Sequence, residues 1–137
     1  MKIELLKTEG EYLLAEVRVN GEVLGVMDEF SPITAEQWQH GTFGFGALVA
    51  EDDGDASWWK ATFEGNPERW KRLVRIGDWS YDGYGRVVAI HPVRVDFGLL
   101  TLDVGDWTND TRCIGEYVFV RIDRLDLTVR SPWSAHG

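Results

Sequence analysis

One short pattern occurs twice in the chain, and its residue types could hold a polar ligand. Gly77-Asp78-Trp79-Ser80-Tyr81-Asp82 and Gly105-Asp106-Trp107-Thr108-Asn109-Asp110 both read Gly-Asp-Trp-(Ser/Thr)-x-Asp. Indole faces stack on sugars and cations, and carboxylates accept hydroxyl hydrogen bonds. Asp78, Trp79, Asp106 and Trp107 would therefore form a small-ligand or carbohydrate mouth if the two strands before them run parallel. A pair of acids there would also suit the general acid and base of a weak glycosidase. The competing reading is a repeated turn. Glycine then supplies the backbone freedom, aspartate bonds its own backbone, and tryptophan folds over the sheet end.

A second constellation lies at Glu51-Asp52-Asp53-Gly54-Asp55, followed by Trp58-Trp59. In a strand, neighbours point to opposite sides, so Trp58 faces outward if Trp59 is core. An outward indole beside Asp52, Asp53 and Asp55 has the composition of a protein-binding hot spot with a charged rim. Burial of Trp58 under a helix is the alternative. Asp28 and Glu29 join this surface only if the strand ends converge. The acid run does not fit a calcium loop: counted from Glu51, the sixth residue is Ala56 and the twelfth is Thr62, where an EF-hand needs glycine and glutamate.

Other chemistry finds no local motif. His40, His91 and His136 are scattered without metal-ligand spacing, so no metal is expected. Cys113 is the one cysteine, which excludes an internal disulfide and favours a reducing, cytoplasmic setting. There is no phosphate loop, dinucleotide fingerprint or zinc-protease helix. No cofactor is expected, and the reading leans away from an enzyme.

Charge narrows the partners. The net charge is −9, and residues 1–68 carry −10 of it against +1 for residues 69–137. Such a chain repels nucleic acid and anionic membranes at long range and attracts basic partners. Arg69, Lys71, Arg72 and Arg75 cluster, but the acidity of the whole argues against nucleic acid. The N-terminal residues are interrupted by charges, so no signal-peptide core is read there. No apolar run approaches a membrane span.

These residues need a scaffold, and period-two alternation supplies one. Ile3 and Leu5 form one face of a first strand. Leu13, Ala15, Val17 and Val19 form one face of a second. Asn20-Gly21 marks a two-residue hairpin, because a type I′ turn needs positive φ at both positions. Residues 42–50 and 59–63 read as strands, as does 85–91 with Val88 and Ile90 on one face. Val93, Val95 and Phe97 alternate, and so do Leu100, Leu102 and Val104. The last strand changes phase: Val118, Val120 and Ile122 are even, Leu125, Leu127 and Val129 odd. That predicts a β-bulge near Asp123-Arg124. Ser31–Trp38 reads as a short helix capped either by Ser31, with Pro32 next, or by Thr34, and Asn66–Lys71 as another, opening on Asn66 with Pro67 next.

The expected fold is mainly β: an antiparallel, closed or partly open barrel of about nine strands with two short helices, and a β-sandwich as the alternative. Residues 1–130 read as one domain and 131–137 as a tail. The expected function is a non-catalytic acidic binding protein for a basic protein partner, of the inhibitor or immunity type. A ligand-binding barrel and an oligomeric accessory subunit are the other readings.

Overall fold

A computed structural model describes residues 3–29, 42–49 and 56–130 of the chain. The strands are β1 (Ile3–Thr8), β2 (Leu14–Val19), β3 (Glu22–Asp28), β4 (Thr42–Val49), β5 (Arg72–Arg75), β6 (Tyr81–Ala89), β7 (Arg94–Asp96), β8 (Thr101–Asp103) and β9 (Tyr117–Arg130). One α-helix, α1 (Ala56–Glu64), and a 3-10 turn at Thr111–Cys113 complete the described elements. No helix among them is long and apolar enough to cross a membrane.

All nine strands belong to one mixed sheet, in the order β1-β2-β3-β9-β6-β7-β8, with β4 on β9 and β5 on β6. The sheet is not closed, so the expected barrel reduces to a β-rich sheet. It is also not wholly antiparallel: β3 runs parallel to β9, with Met27 opposite Asp126 and Asp28 opposite Leu127. β9 is the spine. Its first half pairs with β6, and its second half with β4.

Burying one face of each strand drives this arrangement. Ala15, Val17, Val19, Val95, Phe97, Leu102, Val118, Val120, Ile122, Leu125 and Leu127 join a single core. The change of phase in β9 is realised as expected. Leu48 pairs with Arg124 and Val49 with Ile122, so Asp123 is the extra residue. The bulge is received by the Gly77–Ser80 turn: the Ser80 hydroxyl donates to the Asp123 carbonyl at 2.8 Å, and the Leu125 N–H donates to the Trp79 carbonyl at 2.8 Å. The Asn20-Gly21 turn has φ of 48° and 85°, as a type I′ hairpin requires.

Four local expectations are corrected. Residues 59–63 are helical: Trp59 stacks on Phe63, one helical turn on, with ring planes 4° apart, and Thr62 is the buried residue. Asn66–Lys71 is a turn, because the Asn66 side chain bonds sheet carbonyls rather than capping a helix. In β6 the buried set is Tyr81, Gly83, Gly85 and Val87, which leaves Val88 outside. Leu13 belongs to the β1–β2 turn and is 49% exposed. The helix expected at Ser31–Trp38 lies outside the described residues, as do Val129's side chain and residues 131–137.

Candidate functional site

The two Gly-Asp-Trp turns are set apart by the ladder. The first joins β5 to β6 in a hairpin, so it lies at the start of β6. The second follows β8, whose Asp103 pairs with Arg94, itself paired with Ala89 at the end of β6. β5 runs antiparallel to β8, so the condition for a shared mouth is not met. The turns flank a nine-residue strand, about 26 Å at ~3.3 Å per residue.

Each turn has a structural occupation. In the first, the carbonyls of Gly77 and Asp78 accept from the Arg75 guanidinium at 3.0 and 2.8 Å, and the Trp79 carbonyl holds β9. Asp78 is exposed and Trp79 half-buried. In the second, the Trp107 indole N–H donates to the Val104 carbonyl at 3.1 Å, and Asp106 is exposed. Asp110 accepts from the Arg112 guanidinium and backbone N–H, which hold its carboxyl down at about 2, and its side chain caps the 3-10 turn. Cys113 is half-buried, with its sulfur 3.9 Å from the Thr108 hydroxyl.

Trp58 sits on α1 rather than on a strand. It joins a four-ring cluster, with ring centroids 5.2 Å from both Trp59 and Trp107 in edge-to-face geometry. Phe63 completes the cluster against Trp59 and Trp107. The cluster docks α1 on the core, and the tryptophan repeat thus serves Trp107 by packing. Trp58 remains half-buried and lines an apolar cleft of about 100 Å³ with Val49, Ala61, Thr62 and Phe119. Asp52, Asp53 and Asp55 lie outside the described residues. Asp28 and Glu29 do not converge on the start of that segment: Asp28 is beside Leu127 of β9 and Val49 beside Ile122, five residues away.

The arginine cluster divides. Lys71 pairs with Asp96 at 3.0 Å, and Arg75 is held by the two turn carbonyls and faces Glu16 at 3.8 Å. Arg72 stacks over Trp70 with its guanidinium carbon 3.8 Å from the ring centroid, and Arg69 lies over Tyr117 at 5.6 Å. Arg72 thus covers one end of an aromatic row, Trp70–Tyr84–Phe119, that runs from the 66–70 turn across β6 to β9.

A feature not expected from the sequence lies where β3 meets β9. Asp126 is buried and accepts from the Arg124 guanidinium at 2.6 and 3.2 Å. Glu29 faces it, and burial, then the Asp126 charge, push the Glu29 carboxyl above its usual range. A carboxyl whose pKa is raised by folding adds stability below its unfolded pKa, and that gain is lost as pH rises through the folded value. Glu29→Gln should therefore flatten the pH dependence. Urea midpoints from pH 4 to 8 should show the variant gaining on the parent as pH rises. Parallel curves would remove Glu29 as the source.

The β1–β2 turn was also hidden. Tyr12 has φ of +63°, a left-handed conformation, and its side chain is 62% exposed. Glu9 and Glu11 beside it are exposed too. No family model matches the chain, and neither a curated protein nor a solved structure does.

Proposed function

We propose that this chain is a non-catalytic binding protein that recognises a basic protein partner, of the inhibitor or immunity type that blocks a cationic enzyme. The observation that carries the proposal is Trp58 at the wall of an open apolar cleft, next in the chain to the acidic run Glu51–Asp55. Val49 and Trp58, which bracket that run, both line the cleft. An apolar recess next in the chain to an acidic run suits the aliphatic stem and charged head of a lysine or arginine. The −10 charge of residues 1–68 would speed encounter, and buried rings would slow dissociation. The proposed contacts are Asp52, Asp53, Asp55 and Trp58. A shared sugar mouth would need the two Gly-Asp-Trp turns at one end, and β5 and β8 run in opposite directions.

The test is capture from an extract of the cells that make the protein, with a salt step. One basic protein should elute between low and moderate salt. With that protein purified, Asp52→Asn, Asp53→Asn and Asp55→Asn together should lower the association rate about tenfold at low salt and flatten its salt dependence. An unchanged on-rate removes the acid run from the interface. Failure to capture any basic protein at any salt overturns the reading.

A further inference from the structure

The sequence 8–13 makes a tight turn whose backbone is fixed from several sides. The Glu9 N–H donates to the Leu14 carbonyl at 2.9 Å, and the Leu13 N–H to Gly10 at 3.1 Å. From β3, the Asp28 N–H donates to the Leu13 carbonyl at 2.9 Å, and the Asp28 carbonyl accepts from the Tyr12 N–H. The Asp28 carboxylate, fully buried, accepts from the Thr8 hydroxyl, whose oxygen accepts in turn from the Gly10 N–H at 3.2 Å. A left-handed backbone suits glycine or asparagine and strains a bulky residue. Here that position holds a tyrosine, and its ring is more exposed than any other large hydrophobic side chain described. Leu13 beside it is half exposed. Packing does not account for the choice of tyrosine, since the ring has little to pack on. A tyrosine at a strained position with an exposed side chain points to work done outside the fold.

We infer that the Glu9–Leu13 turn is the principal anchor for the basic partner, with Tyr12 and Leu13 entering an apolar socket and Glu9 and Glu11 meeting the cations around it. The inference rests on the reading above and moves the main contact from Trp58 to Tyr12. Charge complementarity selects this occupant. Glu9 and Glu11 flank this turn and are exposed, and the nearest lysine in the chain, Lys7, is engaged with Glu16 at 2.9 Å. Trp58, by contrast, already packs against two other indoles. Tyrosine is among the residues enriched at the energetic centres of interfaces.

Tyr12→Asn tests this in two ways. Relief of the left-handed strain should raise the thermal midpoint by about 2–4 °C. The same change should weaken binding of the purified, captured basic protein by about 30-fold, mainly in the dissociation rate. Tyr12→Phe should keep most of the affinity, and Trp58→Ala should lose less than Tyr12→Asn. A lower midpoint in Tyr12→Asn would show that the ring supports the fold, which overturns the inference. Parent-like binding by Tyr12→Asn overturns it too, while leaving the basic-partner reading intact. If the parent captures no basic protein, both fall together.

Discussion

Asn66→Asp is expected to destabilise the protein by about 4 kcal/mol at neutral pH, the magnitude of an uncompensated buried charge. Asn66 is 3% exposed. Its amide nitrogen donates to the Trp70 and Val118 carbonyls at 3.0 and 3.2 Å, with the Gly85 carbonyl at 3.5 Å. Its carbonyl oxygen accepts from the Trp70 N–H at 2.8 Å. One side chain thus ties the 66–70 turn to both β6 and β9. Aspartate has the same shape but no donor when ionised, so an anion would face three carbonyl oxygens. Protonation would restore one donor, and the deficit should shrink as pH falls toward 4. Asn66→Ala removes the charge problem and leaves those groups unbonded, so about 2–3 kcal/mol is expected. Denaturant unfolding of the three proteins at pH 4 and 7 checks the order. A deficit for Asn66→Asp below about 1 kcal/mol at pH 7 would show that the turn is held by other contacts.

This residue also shows where the sequence stops speaking. Asn66-Pro67-Glu68 has the local form of a helix start, and nothing nearby contradicts it. The outcome is decided by Val118, fifty-two residues away, whose carbonyl competes for the amide. Alternating strands were legible because each buries one face against a common core, and the two-residue period survives any topology. The bulge at Asp123 was legible for the same reason: a phase slip inside one strand leaves a mark in that strand alone. β6 was not, because its inward positions include Gly83 and Gly85. A methyl at either would lie 2.6 or 2.4 Å from Phe97 or Asp96 atoms. Space needed by a neighbour reads as missing hydrophobicity, so the visible phase passed to Val88 and Ile90.

The candidate surfaces divide on similar lines. Residue types at 52–58 and in the Gly-Asp-Trp turns were plain, but only strand direction shows whether the two turns meet. Trp59-x-Ala61-x-Phe63 alternates like a strand, and Trp59 and Phe63 are also one helical turn apart, so composition alone leaves the choice open. The Tyr12 turn gave less signal still. Gly10 marks a break, but the left-handed residue is the tyrosine two positions later, held there by the backbone of Asp28.

Gly25→Ala carries the other large effect, expected at about 3 kcal/mol, at the upper end for overpacking. A Cβ at this position would lie 2.0 Å from the Asp78 carbonyl oxygen and 2.3 Å from the Arg75 guanidinium. The carbonyl cannot yield cheaply. It accepts from Arg75, in a turn whose next two residues hold the β9 bulge. Gly25 is also clasped by the Tyr81 hydroxyl, which donates to its carbonyl and accepts from its N–H, both at 2.8 Å. Moving β3 away would break this pair and strand a buried phenol and two backbone groups. The first Gly-Asp-Trp turn is then the wedge that keeps β3 at its distance from β6, and its tryptophan carbonyl and serine hydroxyl are parts of that wedge. Gly46→Ala separates this effect from strand propensity, since a methyl there meets nothing closer than Thr128 at 3.8 Å. It should change stability by less than about 0.5 kcal/mol, or raise it slightly. Equal effects at the two glycines in urea unfolding would refute the wedge. A large loss at Gly25 alone, with exchange protection lost at the position 25 amide that donates to the Tyr81 hydroxyl, would establish that the turn builds the sheet.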